Sequence, residues 1–214
     1  MKRRLRGGPN ARDRLIWQCA SLLLSYPDEA GLGAADELLT HLDGDAAALL
    51  RRTATALSAA DPMHAASVYV DTFDLRRRTT MYLTYWTAGD TRERGNAMLR
   101  FATAYREANM VSPRGEAPDF LPVVLEFAAT VAPDAGRELL AAHRVSIDLL
   151  RDALTEIGSP YAFAVAAVCE TLPAPTDRDT QRSQHLARTG PPAETVGLQP
   201  FTLTVPPRRA QGSR

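Results

Sequence analysis

The apolar positions of this chain recur at steps of three and four, which is the spacing of an amphipathic helix. The clearest case runs from Leu139 to Ile157, where one apolar stripe predicts a single helix that Gly158 ends. No stretch alternates between apolar and polar residues as a half-buried strand does. Proline, glycine and capping residues divide the rest into further predicted helices, near 13–26, 34–42, 46–60, 62–74, 79–88, 91–108 and 160–168. We therefore predict an all-α protein, a compact single-domain helical bundle.

The ends of the chain have a different character. Residues 1–12 carry Lys2, Arg3, Arg4 and Arg6, and we interpret them as a basic flexible arm because charged residues interrupt the approach to the first helix. From Pro173 the sequence becomes rich in proline, threonine, glutamine and charge, a composition typical of disorder. The predicted organisation is an arm at 1–12, a helical domain at 13–172 and a disordered tail at 173–214.

The segment 116–127, EAPDFLPVVLEF, is predicted to be the central helix and the acidic loop that leads into it. Asp119 can cap the helix, and Pro122 fits in a first turn whose N–H groups have no partner. The helix is apolar on nearly every side, as is typical of a buried helix. Glu126 lies inside this segment, and a buried carboxylate requires a partner. Two interpretations stay open: a capped core helix with Glu126 paired to an arginine, or a binding element.

Composition narrows the class of protein. The chain has 25 Lys and Arg against 25 Asp and Glu, so its net charge gives no bias toward nucleic acid or an anionic surface. Cys19 and Cys169 are far apart in apolar helical settings, which favours two buried thiols and fits a reducing cytoplasm. No apolar run reaches the roughly 18 residues that a membrane span requires.

Motifs for catalysis are absent from the sequence. There is no glycine-rich phosphate loop and no CxxC, and the four histidines have no spacing typical of metal ligands. His143 lies on the apolar stripe of its helix, which favours a core histidine. Asp119 and Glu126 would be about 10 Å apart on one helix, too far to share a proton. These absences favour a protein that is not an enzyme and has no metal or organic cofactor.

Aromatic and basic residues are concentrated in 69–86. The aromatic side chains could line a groove for an apolar peptide helix, or each could simply be core. The arginines at 76–78 could form a solvated turn or neutralise Asp71, Asp74 or Glu126. A helical DNA-binding regulator that uses its basic clusters is an alternative, although the sequence has no convincing helix-turn-helix.

Two blocks in the chain resemble a known family. They are YVDTFDLRRRTTMYLTYWTAGDTRERGNAMLRF, from Tyr69, and EAPDFLPVVLEFAA, from Glu116. They are similar to the nitrate reductase molybdenum-cofactor assembly chaperones, the NarJ type or delta subunit, which are related to the chaperones of other molybdenum oxidoreductases. The resemblance covers roughly 15–172, and the acidic Pro-Asp loop is the family's signature. Phe120 stands where family members often have histidine, which argues against a mechanism that needs an imidazole there.

The resemblance implies an all-helical cytoplasmic chaperone without stable membrane association. Its partner would be the apo catalytic (alpha) subunit of nitrate reductase, bound through its N-terminal peptide and held ready for cofactor insertion before membrane docking. Proteins of molybdenum-cofactor biosynthesis would be further partners, and nucleic acid would not. The residues expected to bind this peptide are Tyr69, Asp74, Arg77, Tyr82, Tyr85, Trp86, Glu116, Pro118, Asp119, Phe120 and Glu126.

Overall fold

Helices make up the regular structure of the described residues, 9–111 and 115–192, in the computed structural model. The all-α prediction is confirmed there, because the β-structure in these ranges is one isolated antiparallel bridge between Tyr82 and Phe120. No helix in the same ranges is both long and apolar enough to cross a membrane. The helices are α1 (Ala11–Leu24), α2 (Glu29–Leu39), α3 (Asp45–Ser58), α4 (Pro62–Phe73), α5 (Tyr85–Ala88), α6 (Arg92–Glu107), α7 (Leu121–Glu126), α8 (Pro133–Ala142), α9 (Arg144–Glu156), α10 (Tyr161–Glu170) and α11 (Asp177–Thr189).

Helix α1 lies at the centre of the bundle and packs against α2, α3, α7 and α10. It begins at a reciprocal cap, in which Asn10 and Asp13 each accept the other's backbone N–H. From Ile16 to Leu24 it is mostly buried. Trp17 donates its indole N–H to Thr171 Oγ1 at 2.8 Å, so the ring's polar atom is satisfied inside the core. The sequence placed this helix at 13–26, two residues late.

The predicted central helix is confirmed as buried, but its first and last turns differ from the prediction. Leu121, Val124 and Leu125 have no exposed surface. The helix widens into a π-helical turn over Phe127–Val131, where Arg14 Nε donates to the carbonyl of Ala129 at 2.7 Å. The expectation that Asp119 caps α7 is wrong, because Phe120 is the N-cap residue and no side chain caps this helix.

Glu126 is exposed, so the expectation of a buried carboxylate at this position is also wrong. The side chains on either side of it, Leu125 and Phe127, are buried. A single outward position on an otherwise covered helix leaves the carboxylate in water, where it requires no partner.

The predicted helix over 139–157 is two helices, α8 and α9, joined at His143. The His143 ring stacks on Phe101 at 4.7 Å between centroids, and its Nδ1 lies 2.8 Å from the carbonyl of Leu139. Helix α8 also lies very close to the π-helical turn that follows α7, since a Cβ atom on Gly136 would come within 2.3 Å of the Ala128 Cβ. The apolar spacing continues through the break, which explains why the sequence did not reveal it.

Two predicted boundaries near the N-terminal half also change. Gly31 and Gly33 were expected to break the chain before a helix at 34–42, but both lie inside α2, which starts earlier because Asp28 accepts the N–H of Gly31. The predicted helix at 79–88 is instead a 3₁₀ turn at Arg77–Thr79, a short extended segment and the four-residue α5. The extended segment forms because it pairs with the residues before α7.

The C-terminal region contains a helix where the sequence predicted disorder from Pro173. Thr176 and Asp179 form a capping box at the start of α11. Leu186 of α11 packs on Trp86, Val145 and Leu149, a small apolar cluster separate from the main core. Residues 193–214 of the predicted tail and 1–8 of the predicted arm lie outside the described residues.

A buried charge network fixes α9 to the chain that leads into α11. Asp148 is bound by Arg144 at 2.9 Å, as predicted from their spacing, and by Arg151 at 3.1 Å. Arg144 also donates to the carbonyl of Pro173 at 2.8 Å. Cys19 and Cys169 are both buried and unpaired, as the sequence predicted, and burial raises the pKa of each thiol to about 12.

Candidate functional site

A cleft of about 410 Å³ opens where the end of α1, the end of α4, the extended segment before α5 and the entry to α7 meet. Six of the eleven residues predicted to bind a peptide line it. The full lining is Ser21, Ser25, Tyr26, Tyr69, Phe73, Asp74, Met81, Tyr82, Glu116, Phe120, Pro122, Val123 and Glu126.

One side of the cleft is a run of aromatic rings in contact with one another, from α4 and from the residues just after α1. Tyr69 and Phe73 are four apart on α4, so they share a face, and their ring centroids are 4.9 Å apart. Tyr26 lies edge-on to Tyr69 at 5.4 Å, and Tyr69 donates its hydroxyl proton to the carbonyl of Leu24 at 3.3 Å. Tyr26 remains 56% exposed, so this side presents aromatic surface that the protein itself does not cover.

The opposite wall is the isolated bridge between residues 82 and 120. Leu83 donates its N–H to the carbonyl of Asp119 and Leu121 donates to that of Met81, each at 3.0 Å. The rings of Tyr82 and Phe120 face each other across this bridge at 5.6 Å and are both only partly buried. Arg94 lies over Tyr82 at 5.3 Å from the ring centroid, behind the cleft lining.

The charged residues that the structure places on the cleft are all acidic. Asp74, Glu116 and Glu126 are exposed at its rim, and no Lys, Arg or His from residues 9–111 or 115–192 lines it. Burial raises the pKa of Tyr82, and the nearby Glu116 and Asp119 carboxylates raise it further, so the phenol remains a neutral donor at physiological pH. An aromatic interior with an acidic rim favours a ligand that combines apolar surface with positive charge.

The remaining five predicted residues lie elsewhere. Arg77 lines a separate groove with Arg76, Arg78 and Ile157, and Arg78 pairs with Glu156 at 3.9 Å rather than with the acids of the cleft. Trp86 is beneath α11, and Tyr85 lies beside it at 6.4 Å between ring centroids.

Pro118 and Asp119 support the cleft from behind. The carbonyl of Pro118 accepts the Tyr105 hydroxyl at 2.6 Å. Asp119 is fully buried, and its Oδ2 accepts from both the backbone N–H of Thr84 at 3.0 Å and the Thr84 hydroxyl at 2.5 Å. The acid of the signature loop that reaches the cleft is therefore Glu116.

Several cleft residues were not assigned to a site from the sequence. Tyr26 lies four residues after Leu22 in the apolar spacing of the first predicted helix, so the sequence alone places it with the core. Ser21, Ser25, Met81 and Val123 carry no pattern that indicates binding. Within the described ranges, no group of three His, Cys, Asp or Glu side chains is placed to hold a metal ion.

Comparisons with known proteins point to one group. The family model described as "Nitrate reductase delta subunit" matches residues 36–167. "Probable nitrate reductase molybdenum cofactor assembly chaperone NarJ" of Bacillus subtilis is 34% identical over 159 residues, covering 72% of this chain and 86% of that protein. "Nitrate reductase molybdenum cofactor assembly chaperone NarJ" of Escherichia coli is 30% identical over 151 residues, covering 66% of this chain and 63% of its own length.

Two further similarities extend this picture. "Nitrate reductase-like protein NarX" of Mycobacterium tuberculosis is 64% identical over 157 residues, which is 73% of this chain. The chain spans about a quarter, 24%, of that relative's length. The crystal structure of a protein named as a redox enzyme maturation protein, from Archaeoglobus fulgidus, matches with a TM-score of 0.56 at 26% identity, covering 79% of this chain and 98% of the other.

Proposed function

This chain belongs to the nitrate reductase delta subunit family, and on that basis we propose that it is an assembly chaperone rather than an enzyme. Its client is the unassembled catalytic subunit of a respiratory nitrate reductase. The chaperone binds the N-terminal segment of the client and keeps the subunit competent for molybdenum-cofactor insertion before it docks at the membrane. The names of the NarJ relatives support the chaperone role.

The observation that carries the proposal is the cleft with aromatic walls and a rim of three carboxylates. A peptide helix of about fifteen residues is roughly 22 Å long and presents one apolar face to a groove. Tyr82 and Phe120 would receive that face because their rings are only partly buried. Tyr69 would extend the contact because it borders the exposed ring of Tyr26. Aromatic residues with apolar surface still in water are the usual source of affinity at such interfaces.

The acidic rim supplies orientation. Basic residues that flank the apolar face of the client helix would meet Asp74, Glu116 and Glu126, which lie on different elements around the opening. Charge complementarity of this kind mainly raises the association rate and fixes the register. Because the charged side chains among the described lining residues are all acidic, an acidic peptide would be repelled.

The chaperone role requires release as well as binding. A cleft that is open to solvent can release a bound peptide without unfolding. This suits a client that must leave the chaperone once its cofactor is inserted. We propose that the protein works in the cytoplasm, with molybdenum-cofactor biosynthesis proteins as further partners. Its residues need only hold the client, since the cofactor belongs to the client.

The test is a calorimetric titration of the full chain with a synthetic peptide of about the first fifteen residues of the catalytic subunit. Saturable binding that is lost in a Tyr82→Ala/Phe120→Ala double variant supports the proposal. The matched control is Tyr85→Ala, an aromatic residue close in sequence that does not line the cleft. Absence of binding by the folded chain at high peptide concentration, or equal losses in the control, would contradict it.

A further inference from the structure

We propose that Asp119 is a positioning residue: its carboxylate does not touch the client but holds Thr84, and thereby sets the aromatic wall formed by Tyr82 and Phe120. This inference rests on the proposed function for its effect on binding. It assigns the central acid of the signature loop a role opposite to that of Glu116, the exposed acid at the rim.

Burial excludes direct contact between Asp119 and a ligand in the cleft. Asp119 has 0% exposure and is not among the cleft lining. Its Oδ2 accepts two hydrogen bonds from Thr84, at 3.0 Å from the backbone N and at 2.5 Å from the hydroxyl. Thr84 is the residue that precedes α5, so the carboxylate fixes the start of that helix and not the start of α7.

The same residue also holds the bridge through its main chain. The Asp119 carbonyl accepts the N–H of Leu83, so three hydrogen bonds join one residue to two consecutive residues 35 positions or so earlier in the chain. Leu121 donates to Met81 on the other side of Phe120, and Ser146 of α9 donates to the carbonyl of Leu83 at 2.7 Å.

Tyr82 lies between these bonded residues, opposite Phe120. The segment around it has neither a helix nor a sheet to fix its position, since the bridge is isolated. Asp119 and Thr84 are both 0% exposed, so water does not compete for the hydrogen bonds between them. The Asp119–Thr84 pair therefore pre-organises the two rings, and a wall that is ordered before binding loses less conformational freedom when the peptide arrives.

Three variants separate positioning from contact. Asp119→Ala removes the acceptor, Asp119→Asn keeps an oxygen acceptor of the same size without the charge, and Thr84→Val removes the hydroxyl donor at nearly constant shape. We expect Asp119→Ala to weaken peptide binding by about tenfold and Thr84→Val by about threefold, with Asp119→Asn recovering most of the loss. The double variant Asp119→Ala/Thr84→Val should bind no more weakly than Asp119→Ala alone. The hydroxyl bond that Thr84→Val removes is already absent once the Asp119 carboxylate is gone.

A direct charge contact would give the reverse pattern. Asp119→Asn would then lose as much affinity as Asp119→Ala, and Thr84→Val would bind as the parent does; that result overturns the proposal. Glu116→Ala and Glu116→Gln give the comparison for a direct charge contact: Glu116 is exposed at the rim, so the two variants should lose affinity to a similar extent.

Amide hydrogen exchange of the free protein tests the effect of the Asp119–Thr84 pair without a client. The N–H groups of Leu83 and Leu121 should exchange about tenfold faster in Asp119→Ala and Thr84→Val than in the parent, and at the parental rate in Glu116→Ala. Unchanged exchange in both Asp119→Ala and Thr84→Val would overturn the positioning role even if peptide binding is weakened. A failure of the parent protein to bind the peptide would count against the proposed function and leave this readout decisive. If Asp119→Ala does not fold, Thr84→Val alone carries both measurements.

Discussion

Two aromatic clusters of this molecule come from one stretch of sequence and differ in what covers them. Tyr69, Phe73 and Tyr82 border an open cleft; Tyr69 and Phe73 are 6% and 8% exposed, and Tyr82 is only partly buried. Trp86 is 4% exposed and lies with Val145, Leu149 and Leu186. Both clusters have the spacing of helical core residues. The difference is supplied by α11, a helix distant in sequence, whose Leu186 covers Trp86, while Tyr82 of the other cluster keeps part of its surface in solvent.

This comparison separates residues that stabilise the fold from residues that are free to bind. A fully buried apolar side chain contributes about 1.5–3 kcal/mol to folding and has nothing left for a partner. Tyr82 and Phe120 are only partly buried, so part of their apolar surface can still be removed from water by a ligand.

The largest effect is expected for Trp86→Ala. Removing a buried tryptophan should lower the free energy of unfolding by about 3–5 kcal/mol, measured by urea denaturation. Peptide affinity of the folded variant should stay within about twofold of the parent, or about 0.4 kcal/mol, because Trp86 does not line the cleft. An affinity loss as large as that of a cleft variant would mean that the covered cluster takes part in binding.

Phe120→Ala should show the opposite balance. We expect peptide affinity to fall by about thirtyfold, or roughly 2 kcal/mol, because an anchoring ring is removed from the wall of the cleft. The loss in unfolding free energy should be well below that of Trp86→Ala, because the ring is only partly buried. Calorimetry and urea denaturation of the same sample give both numbers.

Glu116→Gln tests the acidic rim. We expect about a fivefold loss of peptide affinity at low salt, and this loss should shrink as salt rises, because exposed charges are screened within about 8 Å at physiological ionic strength. The matched control is Glu138→Gln, an exposed acid on α8 away from the cleft. Equal losses in the two variants would show that net charge, not the rim, attracts the peptide.

The smallest effect concerns pH and the junction between α8 and α9. Burial lowers the pKa of His143, and the nearby Arg100 lowers it further, against opposing effects of the Leu139 carbonyl and Asp119. The unfolded chain takes up a proton near the ordinary value of about 6.5, while the folded chain resists it.

The unfolding free energy should therefore fall as the pH drops below about 6.5, by no more than about 1.4 kcal/mol per pH unit for one proton, and stop falling below the folded pKa. His143→Gln should flatten this dependence, and His64→Gln, at an exposed position, should leave it unchanged. A slope retained in His143→Gln would assign the effect to other groups.

Most of the helices could be predicted because their determinants are local. These determinants act within one element: the apolar steps of three and four, the cap Asp61 before Pro62, and the positive φ of Gly158. The family resemblance added the function and the acidic loop, and the comparisons confirm that family. Buried thiols and the Arg144–Asp148 pair also followed from local spacing.

The features that sequence reasoning missed depend on contacts between distant parts of the chain. The extended segment at 80–82 forms by pairing with residues 119–121, and at the break between α8 and α9 the His143 ring packs on Phe101. Asp119 has the pattern of a helix cap, yet its partner is Thr84. The role of Tyr26 in the cleft requires α4 to lie beside the end of α1, which no pattern near residue 26 indicates.

The most direct test of the central claim is photo-crosslinking of the full chain with the client peptide, carrying a photoreactive phenylalanine analogue on its apolar face. Mass spectrometry of the products identifies the residues that the peptide touches. We predict crosslinks to α4 near Tyr69 and Phe73, to Tyr82 and to Phe120–Glu126, all of them competed by unlabelled peptide. Crosslinks concentrated on Val145, Leu149 or α11 would place the client on the cluster beneath α11 and would contradict the account.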